Sequence, residues 1–145
     1  EETRLDIDPK LGPDVVANIT DIGTVGNFDI VYCSHCLEHL HHDDVGKALK
    51  EFHRVLVPGG QAVVFVPDLE DVRPTEDVVY ISEAGPITGI DMFFGMRKLS
   101  ANNPHMVHRF GFIRETLKTE LEKAGFQVLA VKRLSDFNLL AIGQK

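Results

Sequence analysis

The stretch from Phe28 to Pro67 constrains the fold more than any other part of the chain. FDIVYC (28–33) is β-branched and aromatic, too short for a helix, and reads as a buried strand. From Asp43 onward, Val45, Ala48, Leu49, Phe52, Val55 and Leu56 recur with the period of an amphipathic helix. Pro58-Gly59-Gly60 closes that helix, because glycine takes the left-handed cap that other residues resist. QAVVFVP (61–67) follows, nearly continuous in apolar residues, as expected of a strand covered on both faces.

The flanks extend this strand–helix–strand unit. Arg4 to Asp8 alternates apolar and polar residues and meets Pro9, predicting a short strand that ends at a loop. Asp14 to Ala17 predicts a second short strand. Residues 68–112 carry several Gly and Pro and read as a long insertion with one short helix. Arg114 to Ala124 is a second amphipathic helix closed by Gly125. Phe126 to Lys132 and Phe137 to Ile142 read as two strands joined by a turn at Leu134-Ser135-Asp136. The order predicts an α/β fold, one domain over residues 1–145, with a mainly parallel sheet and a C-terminal antiparallel hairpin.

Bulk properties narrow the partners. Fifteen Lys and Arg against 22 Asp and Glu give a formal charge of −7, with no basic run to track a nucleic acid. The longest apolar runs, such as AVVFV (62–66), are too short to span a bilayer. No leader-like segment opens the sequence, and two cysteines three positions apart make no secreted disulfide framework. A reducing cytoplasm, with neither membrane nor nucleic acid as partner, is the expected setting.

CSHCLEHLHH (33–42) admits three chemistries. Cys33 and Cys36 form a C-x-x-C pair, a redox arrangement when placed at a helix start; alternatively, Cys33 is a small buried hydrophobe. His35, Glu38 and His39 spell H-x-x-E-H, which on a helix would put both imidazoles on one side for a zinc-dependent hydrolase. The strand before it makes His35 a loop residue, and no distal acidic ligand stands out beyond Glu51. In the third reading these letters are a strand exit beside a ligand.

The neighbourhood carries the third reading. FDIVYCSHCLEHL, a helix ending FHRVLVPGG, and QAVVFVPDL resemble, in order and spacing over residues 28–69, the second half of class I S-adenosylmethionine-dependent methyltransferases. HRFGFIRETLKTELEKAGFQV and FNLLAIGQK are similar to the last helix and two strands of that family. The resemblance implies a Rossmann-like sheet whose strand tips face S-adenosyl-L-methionine, in the position where open α/β sheets bind ligands. The family's Gly-rich turn after its first strand has no counterpart here, so the sheet is expected to lack that strand. Either residues upstream of Glu1 supply it, or another chain completes the sheet (the uncovered edge inviting a homodimer), or the chain is a degenerate relative that no longer binds the cofactor.

Site residues follow by resemblance. RLDIDP makes Asp6, or failing that Asp8, the acid for the ribose hydroxyls. DVVANITDI puts Asn18 at the adenine amino group and Ile19 against the ring. Cys33, Ser34 and His35 line the methionine arm and the transferable methyl. Glu38 and His39 match the family's LEH signature, with Glu38 expected to fix the loop by accepting from backbone amides. Asp68, Tyr80, His105 and Arg109 are the expected substrate contacts. His35, then His108, is the expected base for a protonated nucleophile. The methyl acceptor is an unidentified N, O or C nucleophile. A non-catalytic module binding a partner through 68–112 is the alternative.

Overall fold

The computed structural model describes residues 2–101 and 103–145. Two short strands, β1 (Leu5–Asp6) and β2 (Val15–Val16), pair in parallel. A parallel pair ordinarily needs a crossover of roughly a dozen residues. Strands of two residues need the chain to travel back only about 7 Å, and a single 3₁₀ turn at Pro9–Leu11 does this before Gly12 reverses the chain at φ 62°.

The strand–helix–strand unit forms as predicted: β3 (Phe28–Ser34), α1 (His42–Val55) and β4 (Leu56–Pro67). Asp43 and Asp44 sit in the first turn of α1, complementing its positive end. Val45, Ala48, Leu49, Phe52 and Val55 are all at most 3% exposed, so the apolar stripe is the buried face. Each such side chain contributes roughly 1.5–3 kcal/mol, less for alanine. The helix ends earlier than Pro58-Gly59-Gly60: β4 starts at Leu56, and the proline and glycines form an irregularity within it, where the β3–β4 register jumps between Phe28↔Leu56 and Ile30↔Gln61.

The insertion is more structured than one short helix. A hairpin of β5 (Val78–Ser82) and β6 (Gly85–Thr88) leads into α2 (Gly89–Phe94) and α3 (Arg97–Ser100), then a 3₁₀ turn at Pro104–Met106. Thr88 and Asp91 form a reciprocal capping box at the start of α2. The chain closes with α4 (Arg114–Lys123), β7 (Gln127–Arg133) and β8 (Asn138–Gln144).

The main sheet has the order β3-β4-β8-β7. β3 and β4 pair in parallel, and β8 pairs antiparallel to both β4 and β7. Three strands of four therefore share one direction, although two of the three pairings are antiparallel. β1 and β2 form a separate sheet, unpaired with β3 among the described residues. Contrary to the two-sided covering expected for QAVVFVP, burial alternates along β4. Ala62, Val64 and Val66 are fully buried with α1 and α4, while Val63 and Phe65 stay half-buried on the other face. On that second face β3 shows Ile30 at 61% and Tyr32 at 68% exposure. No helix of the described residues is long and apolar enough to cross a membrane.

Candidate functional site

Because β3, β4 and β7 run together, Ser34, Pro67 and Arg133 end at one edge of the sheet, where Tyr80 of the insertion stacks on Phe137 just past β7. Along the flank of β3, from Phe28 to Cys33, a groove of about 570 Å³ separates β1 from β3. Its walls are largely apolar, with Leu5, Val15 and Ile19 on one side and Val31 and Cys33 on the other. Asp6, at the end of β1, lies close enough to Cys36 for its charge to act on that thiol, and Cys36 in turn donates to the Ser34 carbonyl at 3.3 Å. Asp6 and the Ser34 loop thus share one end of the molecule. Asp6 Oδ1 accepts from the Asp8 amide at 2.8 Å, and Oδ2 takes no donor among the described residues.

The exit of β3 is tight. The His35 amide donates to the Phe65 carbonyl at 3.0 Å, and His35 then turns at φ 53°. A left-handed backbone costs a non-glycine residue on the order of 1–2 kcal/mol. The turn aims His35 Nδ1 at Glu38 Oε1, 3.2 Å away. Glu38 is 2% exposed, whereas the His35 side chain is 45% exposed. The hydrogen bond that His35 donates to Glu38 raises the imidazole pKa above its ordinary value, against the opposing effect of burial.

Glu38 belongs to a wider cluster. One ligand-type atom from each of Glu38, His39 and His108 lies within 4.8 Å of the other two. His39 and His108 meet edge-on with ring centroids 5.0 Å apart. His39 Nδ1 bonds the Val107 carbonyl at 3.2 Å and His108 Nδ1 bonds the Met92 carbonyl at 2.9 Å. Burial holds the His108 pKa below its ordinary value.

The H-x-x-E-H letters do not form a helical metal motif. Leu37–His39 is a 3₁₀ turn and His35 precedes it in a left-handed conformation, so His35 and His39 do not share a helix face. The expectation that Glu38 accepts from backbone amides holds only for its carbonyl, which takes Arg109 N at 2.8 Å and Phe110 N at 3.2 Å; its carboxylate takes His35. The C-x-x-C pair sits before that turn rather than at the start of α1. A hydrogen bond between the thiols, with burial, pushes Cys33 up, and the same bond pulls Cys36 down.

Several expected contacts are committed elsewhere. Asp68 is 2% exposed: Oδ1 accepts from Glu70 N at 3.0 Å and Oδ2 from Arg133 Nε at 2.5 Å, so it ties β4 to β7 instead of meeting a substrate. Arg109 donates to the His39 carbonyl at 2.7 Å and the Pro104 carbonyl at 3.0 Å, clamping the loop. Asp8 caps the Pro9 turn through Lys10 N. Asn18 is exposed, and its side-chain oxygen already takes Thr20 N and Oγ1, leaving no carbonyl turned to an adenine. His105 is exposed in its 3₁₀ turn. Ile19 is half-buried at the groove.

Tyr80 does reach the tip edge. Its ring stacks on Phe137 at 5.8 Å and 16°, tying the hairpin to the β7–β8 turn, and burial raises its hydroxyl pKa. Phe137 itself sits at φ 58°. Sequence reading missed Phe137 as a platform and Asp136 as a charge facing both Tyr80 and His35. The only signal available was a short polar turn ahead of an aromatic residue.

A family profile described as "Methyltransferase domain" matches residues 7–131. Among solved structures, an S-adenosylmethionine dependent methyltransferase from Mesorhizobium loti superposes with a TM-score of 0.66 at 17% identity, over 97% of this chain and 78% of that one. A 1,6-didemethyltoxoflavin-N1-methyltransferase from Burkholderia thailandensis, holding 1,6-didemethyltoxoflavin and S-adenosylhomocysteine, gives 0.61 at 18% over 97% and 59%. An O-methyltransferase family protein from the same species gives 0.61 at 18% over 89% of this chain and 34% of its own. The chain thus spans about a third of that protein's length. No curated protein matches by sequence.

Proposed function

Since the chain belongs to the methyltransferase-domain family, we propose that it transfers a methyl group from S-adenosylmethionine to an N, O or C nucleophile. The observation that supports this reading is the placement of Asp6 near Cys36, which lines an apolar groove beside β3, with the His35–Glu38 pair at the exit of that strand. The residues present suit an adenosyl ligand: Asp6 Oδ2 is an unspent acceptor for ribose hydroxyls, and Ile19 and Cys33 offer an apolar wall. When bound, that ligand supplies an electrophilic methyl on a sulfonium.

The chain's own residues supply alignment, a dry surface and a proton acceptor. A carboxylate can only accept, so His35 Nδ1 carries the proton toward Glu38 and the lone pair sits on Nε2. His35 Nε2 is the group that takes the proton an N–H or O–H acceptor loses. Glu38, anchored by the Arg109 and Phe110 amides, holds the ring in that tautomer. Tyr80, stacked on Phe137 at the β7–β8 turn, is the residue of the insertion best placed to meet the acceptor.

Calorimetric titration of the chain with S-adenosylhomocysteine tests this. Stoichiometric binding, weakened at least about tenfold by Asp6→Asn through loss of a charge-assisted acceptor, is the expected result. Absence of heat at high micromolar ligand would reject the methyltransferase reading in favour of a non-catalytic module.

A further inference from the structure

We propose that Glu38, His39 and His108 form a binding site for one divalent transition-metal ion, zinc by the chemistry of the donors. Residues 38–39 and residue 108 come from distant segments, and the backbone locks them together. The Glu38 carbonyl accepts from Arg109 N at 2.8 Å, the His39 carbonyl from the Arg109 guanidinium at 2.7 Å, and the Phe94 carbonyl from His108 N at 3.1 Å. One potential ligand atom from each of the three residues already lies within 4.8 Å of the other two. Zinc bonds of about 2.1 Å in a tetrahedron set ligands roughly 3.4 Å apart, so closure asks for a contraction of at most about 1.4 Å.

Two independent features point to a cation there. The first is tautomer. A carbonyl only accepts, so the bonds to Val107 and Met92 fix the proton on Nδ1 of both imidazoles and leave each lone pair on Nε2. That is the outer-shell arrangement by which metal-bound histidines are oriented. The second is an unspent acceptor. Glu38 is 2% exposed, Oε1 is taken by His35, and Oε2 is buried with no hydrogen-bond partner among the described residues. A buried carboxylate oxygen left bare is costly, and a cation removes the cost. Two imidazoles and one carboxylate favour zinc over magnesium or calcium, which prefer oxygen shells. Three protein donors leave a fourth position open, as in exchangeable rather than closed sites. The ion would bind the β3 exit to the returning end of the insertion.

The experiment is a titration of the chelator-stripped chain with Co²⁺ followed by visible d–d absorption, then displacement by Zn²⁺. No cofactor or acceptor is added, so the result is independent of the methyl-transfer reading. One ion per chain, displaced stoichiometrically by zinc, is expected. His108→Ala and Glu38→Gln should each weaken binding by at least about tenfold, on the order seen for lost metal-site contacts. The exposed His41→Ala should leave it unchanged. Glu38→Gln keeps an acceptor for His35, so its circular dichroism guards against mistaking misfolding for a lost ligand. Absence of binding up to roughly 100 µM metal (about 5.5 kcal/mol), affinity unmoved by His108→Ala, or equal loss with His41→Ala would each overturn the assignment.

Discussion

Replacing Glu38 by glutamine should leave the metal-free chain as stable as before or more so. Three contributions decide the sign. Burying an ionised carboxylate costs several kcal/mol even after relaxation, and Glu38 is buried to 2% exposure with Oε2 unpartnered. Its compensation is one bond, from His35 Nδ1 at 3.2 Å, worth about 1.5–3 kcal/mol when charge-assisted and about 0.5–1.5 kcal/mol when neutral. Glutamine keeps that acceptor, so the substitution forfeits about 1–2 kcal/mol and recovers the desolvation cost. The backbone bonds from Arg109 and Phe110 to the Glu38 carbonyl do not involve the side chain. The new amide N–H₂ can donate toward the His39 or His108 imidazole in the same cluster. The balance predicts a gain between zero and about 2 kcal/mol. Urea unfolding at neutral pH in excess chelator measures it. A loss beyond about 1 kcal/mol would show that the charge is repaid in the folded state by something other than His35, and would refute the reasoning.

Further consequences follow from packing and charge. A Cβ at Gly143 would sit 2.9–3.1 Å from Phe126, which is 4% exposed. Gly143→Ala should therefore cost about 1–3 kcal/mol of overpacking against a backbone gain of about 0.5–1, measured by thermal unfolding. Phe112 is 1% exposed and packs edge-on to Phe110 at 4.8 Å, so Phe112→Ala should cost about 3–5 kcal/mol, read from the urea midpoint. Burial pushes the Asp91 carboxyl up, but bonds from Thr88 and Arg97 outweigh it and hold its pKa below the ordinary value. Its stabilising contribution is present above about pH 4 and lost as pH falls through the folded value. Unfolding free energy between pH 5 and 3 should fall more steeply in the wild type than in Asp91→Asn, where the charge is gone but Glu76 and Arg97 remain paired.

Local periodicity made α1, α4 and the strands from β3 onward in the main sheet legible, because the spacing of Val45, Ala48, Leu49 and Phe52 is a property of adjacent letters. The resemblance of residues 28–69 supplied the family. What stayed hidden depends on contacts distant in sequence. PDL marks Asp68 as a strand end, yet nothing in those letters reveals Arg133, 65 positions away, which takes its carboxylate. Arg109 reaches back 70 positions to the His39 carbonyl and is consumed there. QAVVFVP looks two-sided because apolar content does not reveal how many helical layers lie on a sheet; the structure puts α1 and α4 on one face only. The β5–β6 hairpin escaped notice because its strands are short and expose Val78 and Ile81.

Burial of an acid is by itself a poor mark of function in this chain, and the three buried acids among the described residues show why. Asp68 has both oxygens engaged, by Glu70 N and Arg133 Nε. Asp91 has both engaged as well, Oδ2 by Thr88 and Oδ1 by Arg97. Such groups stitch elements together, and their charges are spent in doing so. Glu38 differs in leaving Oε2 bare while its other oxygen holds a histidine in a left-handed turn. Strain and an unsatisfied buried charge survive in a fold only where the surroundings over-determine them. Here they coincide within four residues at the tips of the parallel strands, beside Asp6 and under the insertion. Residual hydrogen-bonding capacity, rather than burial or charge, therefore separates the acid poised to act from the two that merely hold the scaffold.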